Sequence, residues 1–328
     1  MFNELNNDDF IGHNEARKTI TQQLISGRMA HALLFQGPKS IGKRRVAQFL
    51  AREVLSGGTN DNTASLLRAG NHPDLHVLQR EAGKKNISIE NVRELITRLQ
   101  LKPFMGKKSV AIIDEAHEMS IPAANALLKT LEEPGSHCLI ILISSAPHLL
   151  LETTISRCQK LNFGELEKRE IEQIIANIAR VLGLPDEQAQ TLPALCPGDL
   201  SALGLGEFID NKTLIFSSTK EASAHLKNIS ARFQTINSQL KSLVSCKSST
   251  AEYLSTAMEL SETKNDSDLT WSSIFHFLGH EMRKAPPAQR ESWANLLLEA
   301  LEDKQQASER NLSQPVLLAN LFLRMAAI

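Results

Sequence analysis

The chain has 328 residues, with 36 basic and 37 acidic side chains and a formal net charge of −1. This length suffices for two or three domains, and such an even charge balance argues against a global basic field that would attract nucleic acid. The four cysteines are widely spaced, which argues against a disulfide framework or a paired-cysteine zinc site. Because no apolar run could span a bilayer and the first residues lack an export-signal pattern, we expect a soluble cytoplasmic protein.

The first half of the chain alternates short apolar runs with segments of helical periodicity. The runs predicted as strands are Leu33–Gln36, Leu75–Leu78, Val110–Ile113, Leu139–Ile143 and Lys160–Phe163. The predicted helices are Glu15–Ser26, Arg44–Leu55, Ile89–Leu101 and Pro122–Glu132. The third and fourth strands are apolar without alternation, as expected for strands that are covered on both faces. This alternation predicts an α/β domain with a mostly parallel five-stranded sheet between helices.

The second half of the chain is predicted to be all-helical. Residues 165–182 have the apolar spacing of a helix, which Gly183 and Pro185 end. The last predicted helix carries an apolar stripe of helical spacing that consists of Leu317, Leu318, Leu321, Phe322 and Met325. Such a stripe is typical of a domain core, and packing against another subunit is the alternative.

A nearly complete phosphate-binding loop follows the first predicted strand. Gly37, Gly42 and Lys43 stand at the expected spacing in the segment GPKSIGK, between a strand and a helix. In this geometry backbone N–H groups bind an anion and Lys43 reaches the terminal phosphates. The next residue should be Ser or Thr, because its hydroxyl ligates the Mg²⁺ ion. Arg44 stands there instead, and we expect it either to repel Mg²⁺ or to pair with phosphate.

Two carboxylates, Asp114 and Glu115, end the third predicted strand. ATP hydrolysis with Mg²⁺ needs one carboxylate to hold the metal shell and another to polarise the attacking water. Acidic residues are common at strand ends, so the pair alone is a weak signal. Its position after a phosphate loop in an α/β pattern makes it a candidate part of a nucleotide site.

Arg157 lies in the segment Ser156-Arg157-Cys158, just before the last predicted strand. An exposed arginine there can reach a nucleotide on a neighbouring subunit, where its planar guanidinium stabilises the charge on the transferred phosphoryl group. An ordinary surface arginine is the alternative, which the three residues alone would favour.

Four motifs give the chain a family resemblance. The segment NALLKTLEEP at 125–134 and the Ser-Arg-Cys triplet at 156–158 resemble signatures of the clamp-loader subunits of the AAA+ family, here those of bacterial DNA polymerase III. The His-Pro-Asp turn at 72–74 and the segment HALL at 31–34 fit the same family. The resemblance covers about residues 10–165, and the helical remainder is similar more loosely.

The resemblance implies three domains and a set of partners. An AAA+ P-loop domain would occupy residues 1–163, a small helical lid domain residues 164–207 and a helical collar domain, for oligomerisation, residues 208–328. The implied partners are the gamma/tau and delta subunits, the sliding clamp, and primer–template DNA through the assembled complex. Arg157 would act as an arginine finger in trans.

The chain also departs from the family pattern. Arg44 removes the metal-ligating hydroxyl, and residues 56–63 lack the cysteines of the family's zinc module, so we expect no zinc. No arginine stands near residues 196–200, where the lid's phosphate sensor would be expected. Ser144 and Ser145 follow the fourth strand and could fill the family's polar sensor position, for which Ser145 is the candidate, but serines at a strand end are also ordinary.

These features support three hypotheses. The first is an accessory subunit of a DNA-directed DNA polymerase that does not hydrolyse ATP and lends Arg157 to a neighbouring ATPase subunit. The second is a working AAA+ ATPase in which Lys43, Asp114 and Glu115 act and a water replaces the missing hydroxyl. The third is a nucleic-acid-binding module that uses the local basic loop formed by Lys102, Lys107 and Lys108. The phosphate loop could stay empty or hold ATP or ADP without hydrolysis.

Overall fold

A computed structural model describes residues 11–56, 66–67, 71–81, 83–105, 107–196, 198–205, 218–245, 249–261, 267–310, 313–326 and 328. Within these ranges the chain divides into two compact units. The first unit ends at Glu170 and the second begins at Ile171.

The first unit is built around a five-stranded sheet in which all neighbouring strands are parallel. The strands are β1 (Ala32–Gln36), β2 (Leu75–Leu78), β3 (Ser109–Ile113), β4 (Cys138–Ser144) and β5 (Gln159–Asn162). Their order is β2–β3–β4–β1–β5, so β4 lies between β1 and β3. The predicted parallel α/β sheet is confirmed, and each predicted strand is correct to within one residue at either end.

The first unit also contains helices, two of which begin at a serine N-cap. The helices are α1 (Asn14–Ser26), α2 (Lys43–Ser56), α3 (Ile89–Gln100), α4 (Ile121–Glu132) and the short α5 (Glu152–Ile155). The hydroxyl of Ser88 accepts a hydrogen bond from the Asn91 N–H at the start of α3, and Ser120 caps α4 in the same way by accepting from Ala123. Pro122 lies in the first turn of α4, where its missing N–H costs little.

The sheet forms the centre of a buried apolar core. Strands β3 and β4 are buried along their full length. Leu99 of α3 and Leu127 of α4 pack with Leu34 and Ile113 of the sheet in one cluster. Because the strands are parallel, the loops that follow them emerge together at one end of the sheet, here called its carboxyl end, where α/β proteins bind ligands.

The second unit is helical. Its helices are α6 (Lys168–Leu182, whose first residues belong to the first unit), α7 (Asp186–Thr191), α8 (Thr219–Ser245), α9 (Thr250–Ser261), α10 (Ser267–Lys284), α11 (Pro287–Arg310) and α12 (Gln314–Met325). Trp271 and Phe277 of α10, Leu240 of α8 and Phe322 of α12 belong to its core cluster. The apolar stripe predicted for the last helix is therefore core, with Leu317 only partly buried.

The short elements between α6 and α8 pack within this second unit. Two 3₁₀ turns, Leu192–Leu195 and Ser201–Leu203, contact α10, and the hydroxyls of Thr191 and Ser230 are 2.9 Å apart. The division into a lid domain at 164–207 and a collar domain at 208–328 stays a prediction. None of the helices in the described part of the chain combines the length and apolar character that a bilayer span requires.

Candidate functional site

The phosphate-type loop lies at the carboxyl end of the sheet, between β1 and α2. Gly37 has φ of +151°, and a Cβ at this position would lie 2.0 Å from the carbonyl oxygen of Phe163. Gly42 has φ of +99°, a conformation that L side chains rarely adopt. The N–H of Gly37 also donates to the carbonyl of Ser144 at the end of β4 (3.3 Å). Both glycines of the motif are therefore required by the backbone.

Lys43, the lysine of the motif, is the first residue of α2 and is buried. Its Nζ donates to the carbonyl oxygens of Gly37 (2.7 Å) and Pro38. The ammonium therefore satisfies carbonyls of its own loop. The role of Lys43 toward a bound phosphate stays a prediction.

Arg44 occupies the position of the expected metal-ligating hydroxyl and makes an ion pair with Asp114. One guanidinium nitrogen, Nη1, lies 2.9 Å from Oδ2 of Asp114 and 2.9 Å from Oε1 of Gln79. Each side chain of the ion pair is only 17% exposed. A cation supplied by the chain thus binds the carboxylate that was predicted to hold the metal shell.

The charge of Asp114 depends on this arginine. Burial raises the pKa of the Asp114 carboxyl, the Arg44 guanidinium opposes the shift by lowering it, and the neighbouring Glu115 raises it again. Without a cation beside it, Asp114 would be a poorly solvated carboxylate next to a second acid. Arg44 is therefore the main stabilising charge for the ionised form of Asp114.

Glu115 is held by the segment that follows β4. Its Oε2 accepts hydrogen bonds from the N–H (3.0 Å) and the hydroxyl (2.8 Å) of Ser145. Nδ1 of His117 lies 3.3 Å from the same oxygen and 3.2 Å from the hydroxyl of Ser144. Burial lowers the pKa of His117, while Glu115 raises it. Ser145 and His117 therefore both contact Oε2 of Glu115, so this carboxylate oxygen already has polar partners within the chain.

A cavity of about 350 Å³ opens beside these groups. Its lining residues are mostly charged: Lys39, Ser40, Gln79, Arg80, Asp114, Glu115 and Glu118. Arg80 is paired with Glu118 at 2.8 Å, so one of the two lining cations is already neutralised. Two of the three lining carboxylates are likewise paired with cations, Glu118 with Arg80 and Asp114 with Arg44.

Arg157 is held on the surface of the first unit. Its Nε donates to Oε1 of Glu132 (2.8 Å), its Nη2 pairs with the same carboxylate oxygen, and its Nη1 donates to the carbonyl of Thr153 (2.7 Å). The side chain is 32% exposed and that of Glu132 is 47% exposed. Arg157, which was predicted to be exposed, thus has an ion-pair partner within its own chain.

Arg157 lies at the opposite end of the sheet from the phosphate-type loop. It precedes the first residue of β5, Gln159, whereas Gly37 follows the last residue of β1 and approaches Phe163. Strands β1 and β5 are parallel, and the four steps from Gln159 to Phe163 span about 13 Å. Arg157 is therefore directed away from its own loop.

The His-Pro-Asp turn anchors a neighbouring loop. Asp74 is buried, and its two carboxylate oxygens accept hydrogen bonds from the N–H groups of Phe104 (2.6 Å) and Met105 (2.9 Å). The anchored loop carries Lys102, Lys107 and Lys108, the residues of the predicted basic loop, together with the exposed Phe104. The turn has a structural role in the part of the chain that is described.

The described ranges hold no cluster of metal-ligating side chains. Groups of three or more His, Cys, Asp or Glu side chains that could hold a metal ion do not occur there. The predicted lack of a zinc module concerns residues 56–63, and all of these except Ser56 lie outside the described residues.

The structure brings most of the predicted site residues together. Those at the carboxyl end of the sheet are Gly37, Gly42, Lys43, Arg44, Asp114, Glu115 and Ser145, and Arg157 lies at the other end. Gln79 and His117 also belong to the site, although the sequence did not predict them. A signal for Gln79 existed, because it directly follows β2, the strand beside β3. The indication for His117, which stands two residues after Glu115, was weaker.

Comparisons with known proteins concern mainly the first unit. A family model described as "DNA polymerase III, delta subunit" matches residues 12–167. The DNA polymerase III subunit delta' of Pseudomonas aeruginosa is 40% identical over 136 residues, which are 39% of this chain and 42% of that protein. The DNA polymerase III subunit tau of Bacillus subtilis is 34% identical over 171 residues, 50% of this chain and 30% of that protein. The chain therefore matches less than half the length of these curated relatives.

A solved structure is also similar to the chain. It is that of a DNA polymerase III gamma subunit-related protein from Thermotoga maritima, with a TM-score of 0.47 and 17% identity. The match covers 94% of this chain and 98% of that one.

Proposed function

We propose, on the premise that residues 12–167 belong to the family of the DNA polymerase III delta subunit, that this chain is a clamp-loader subunit of the delta-prime type. It does not hydrolyse ATP itself. It supplies Arg157 to the nucleotide site of a neighbouring ATPase subunit in the cytoplasm, while the sliding clamp is loaded onto primed DNA.

The observation that carries the proposal is the ion pair between Arg44 and Asp114. Phosphoryl transfer in P-loop NTPases needs a Mg²⁺ ion that is held by the hydroxyl after the lysine and by an acidic residue, here Asp114 at the end of β3. Here the hydroxyl is missing and Nη1 of Arg44 lies 2.9 Å from the acidic residue. For Mg²⁺ to bind, it would have to displace a partly buried guanidinium, and it would gain no second protein ligand at position 44.

The position of Arg157 supports the second part of the proposal. An arginine that lies at the amino end of β5 is about 13 Å or more from its own phosphate-type loop and cannot serve it. The guanidinium is one-third exposed and is held by a pair at the surface, so a phosphate group of another subunit can approach it. A planar fork is suited to two parallel hydrogen bonds with phosphate oxygens.

The partners follow from the same proposal. A finger that acts in trans requires a neighbouring ATPase subunit, for which the gamma/tau subunit is the candidate. The delta subunit, the sliding clamp and primer–template DNA would be met within the assembled complex. ATP or ADP would bind this chain weakly and without turnover.

The test uses the loader reconstituted with this chain and the gamma/tau and delta subunits of the same organism. Arg157→Ala should leave assembly intact and slow the facing ATPase site by about 10³-fold or more, because the charge that stabilises its transition state is lost. Arg157→Lys should be nearly as damaging, since a lysine cannot make the planar double contact. Arg93→Ala, which removes an exposed arginine from α3, is the matched control and should leave the rate unchanged.

The rival ATPase hypothesis makes the opposite prediction for the local site. Lys43→Ala should change the ATPase of the assembled loader by less than about twofold if this site is idle. A loss as large as that of Arg157→Ala, or turnover by the isolated chain, would favour an active ATPase. Full activity of the assembled Arg157→Ala loader would refute the proposed finger.

A further inference from the structure

Glu132 and Arg157 form a contact with a defined geometry. Glu132 is the last residue of α4, and Arg157 follows α5. Nε and Nη2 of Arg157, which make up one edge of the guanidinium, both meet the same oxygen of Glu132. Nη1 meets the carbonyl of Thr153 at 2.7 Å and lies 3.4 Å from the hydroxyl of Ser156. The head group is therefore fixed from two directions.

This contact leaves part of the guanidinium for another acceptor. A guanidinium has five N–H groups in a rigid plane. The second N–H of Nη2 has no acceptor among the described residues, and it lies on the edge that Nη2 shares with Nη1. Because Glu132 occupies the other edge, it fixes the plane and the direction of the group without covering it completely.

The exposure of the pair argues against a role in holding the fold together. Glu132 is nearly half exposed and Arg157 one-third exposed, and ion pairs at such positions contribute little to stability. A long arginine side chain without a partner samples many rotamers, and a catalytic contact loses rate when its group has to be ordered first. A carboxylate that orders the side chain in advance removes that cost.

We infer that Glu132 is a positioning residue for Arg157. It holds the guanidinium at the surface in the orientation in which Arg157 meets the neighbouring subunit's phosphate. The inference rests on the proposed function and adds a residue to it, since Glu132 itself touches no nucleotide.

The test measures single-turnover ATP hydrolysis by the assembled loader, in which a slowed site is resolved as a separate phase. Glu132→Ala should slow that phase about tenfold with the KM for ATP unchanged, because orientation is lost while nucleotide binding is not. Glu132→Gln keeps an oxygen acceptor and should recover part of the rate. Glu133→Ala removes the same charge from the next, exposed residue and should stay within about twofold of the unmodified protein.

Two further measurements separate positioning from a structural role. The thermal midpoint of Glu132→Ala and its incorporation into the loader should equal those of Glu133→Ala. In an Arg157→Ala background, Glu132→Ala should cause no further loss, since there is no finger left to orient.

The outcomes distinguish this inference from the proposed function. If Arg157→Ala is silent, the proposed finger fails and Glu132 loses its role with it. If Arg157→Ala slows the site but Glu132→Ala leaves the rate unchanged or raises it, only the role of Glu132 is overturned. An equal loss for Glu133→Ala, or an additive loss in the double variant, would also overturn it.

Discussion

Replacing Arg44 by methionine should destabilise the first unit, because it leaves the Asp114 carboxylate without its partner. Removing one member of a buried ion pair costs about 3–5 kcal/mol. Each side chain of this pair is 17% exposed, so partial hydration reduces the cost, and we expect a loss of about 2–3 kcal/mol. At about 3 °C per kcal/mol for a unit of about 160 residues, the thermal midpoint should fall by about 6–9 °C.

The loss should depend on pH in a predictable direction. The pKa of Asp114 in the folded protein is raised above its ordinary value of 3.8, so this group favours folding most at low pH, and that contribution is lost as pH rises through the folded pKa. Arg44→Met removes the charge that opposes the shift, which raises the folded pKa further. Denaturant titrations should therefore show a small difference from the unmodified protein near pH 4 and the full difference near pH 8.

A double variant tests whether the two residues act through each other. The double variant is Arg44→Met/Asp114→Asn. In the unmodified protein the Asp114 carboxylate accepts a hydrogen bond from the Glu115 N–H at 3.2 Å. The asparagine oxygen can accept the same hydrogen bond, but the side chain carries no charge that would need a cation beside it. The double variant should regain at least about 1 kcal/mol relative to Arg44→Met alone. A change below about 0.5 kcal/mol in Arg44→Met, or an equal loss near pH 4 and pH 8, would refute the reasoning.

Three shorter predictions follow from the same unit. Gly37→Ala should lower the free energy of unfolding by more than about 3 kcal/mol, because its Cβ would lie 2.0 Å from the Phe163 carbonyl oxygen. Gly164→Ala is the control: no atom lies within 4 Å of its Cβ, so denaturant titrations should show a change within about 0.5 kcal/mol. Elemental analysis of the purified protein should find no stoichiometric zinc, and one zinc ion per chain would contradict the interpretation of residues 56–63. Burial raises the pKa of Cys158 to about 11, so its alkylation in the native protein at pH 8 should be slow, and rapid labelling would contradict its buried position.

The sheet could be predicted from the sequence because its physical signals are local. Strands β3 and β4 are buried on both faces, so their residues are apolar without alternation, and the structure buries them from end to end. Helix α4, which precedes β4, begins at Ser120, a capping residue that can be identified in the sequence. The edge strand β5 was the weakest signal, since only Leu161 is buried among its residues.

The partner of Arg44 could not be predicted, because it depends on the order of the strands. Asp114 is 70 positions away in the chain and meets Arg44 only because β4 alone separates β1 from β3. The spacing of the motif gave the two alternatives of repelling a metal ion or binding phosphate, and neither includes an acceptor from the chain itself. In the same way, no short-range pattern connects Glu132 with Arg157.

The two arginines differ in burial, and this difference supports different roles for them. Arg44 and Asp114 are each 17% exposed, so separating them would leave two poorly solvated charges, and the pair should persist. Arg157 and Glu132 are 32% and 47% exposed, so water can replace each partner at little cost. A phosphate of a neighbouring subunit can then share the guanidinium with Glu132 through the edge that Glu132 leaves open. This difference in burial supports the proposal that Arg44 closes the local site whereas Arg157 acts on a neighbouring subunit.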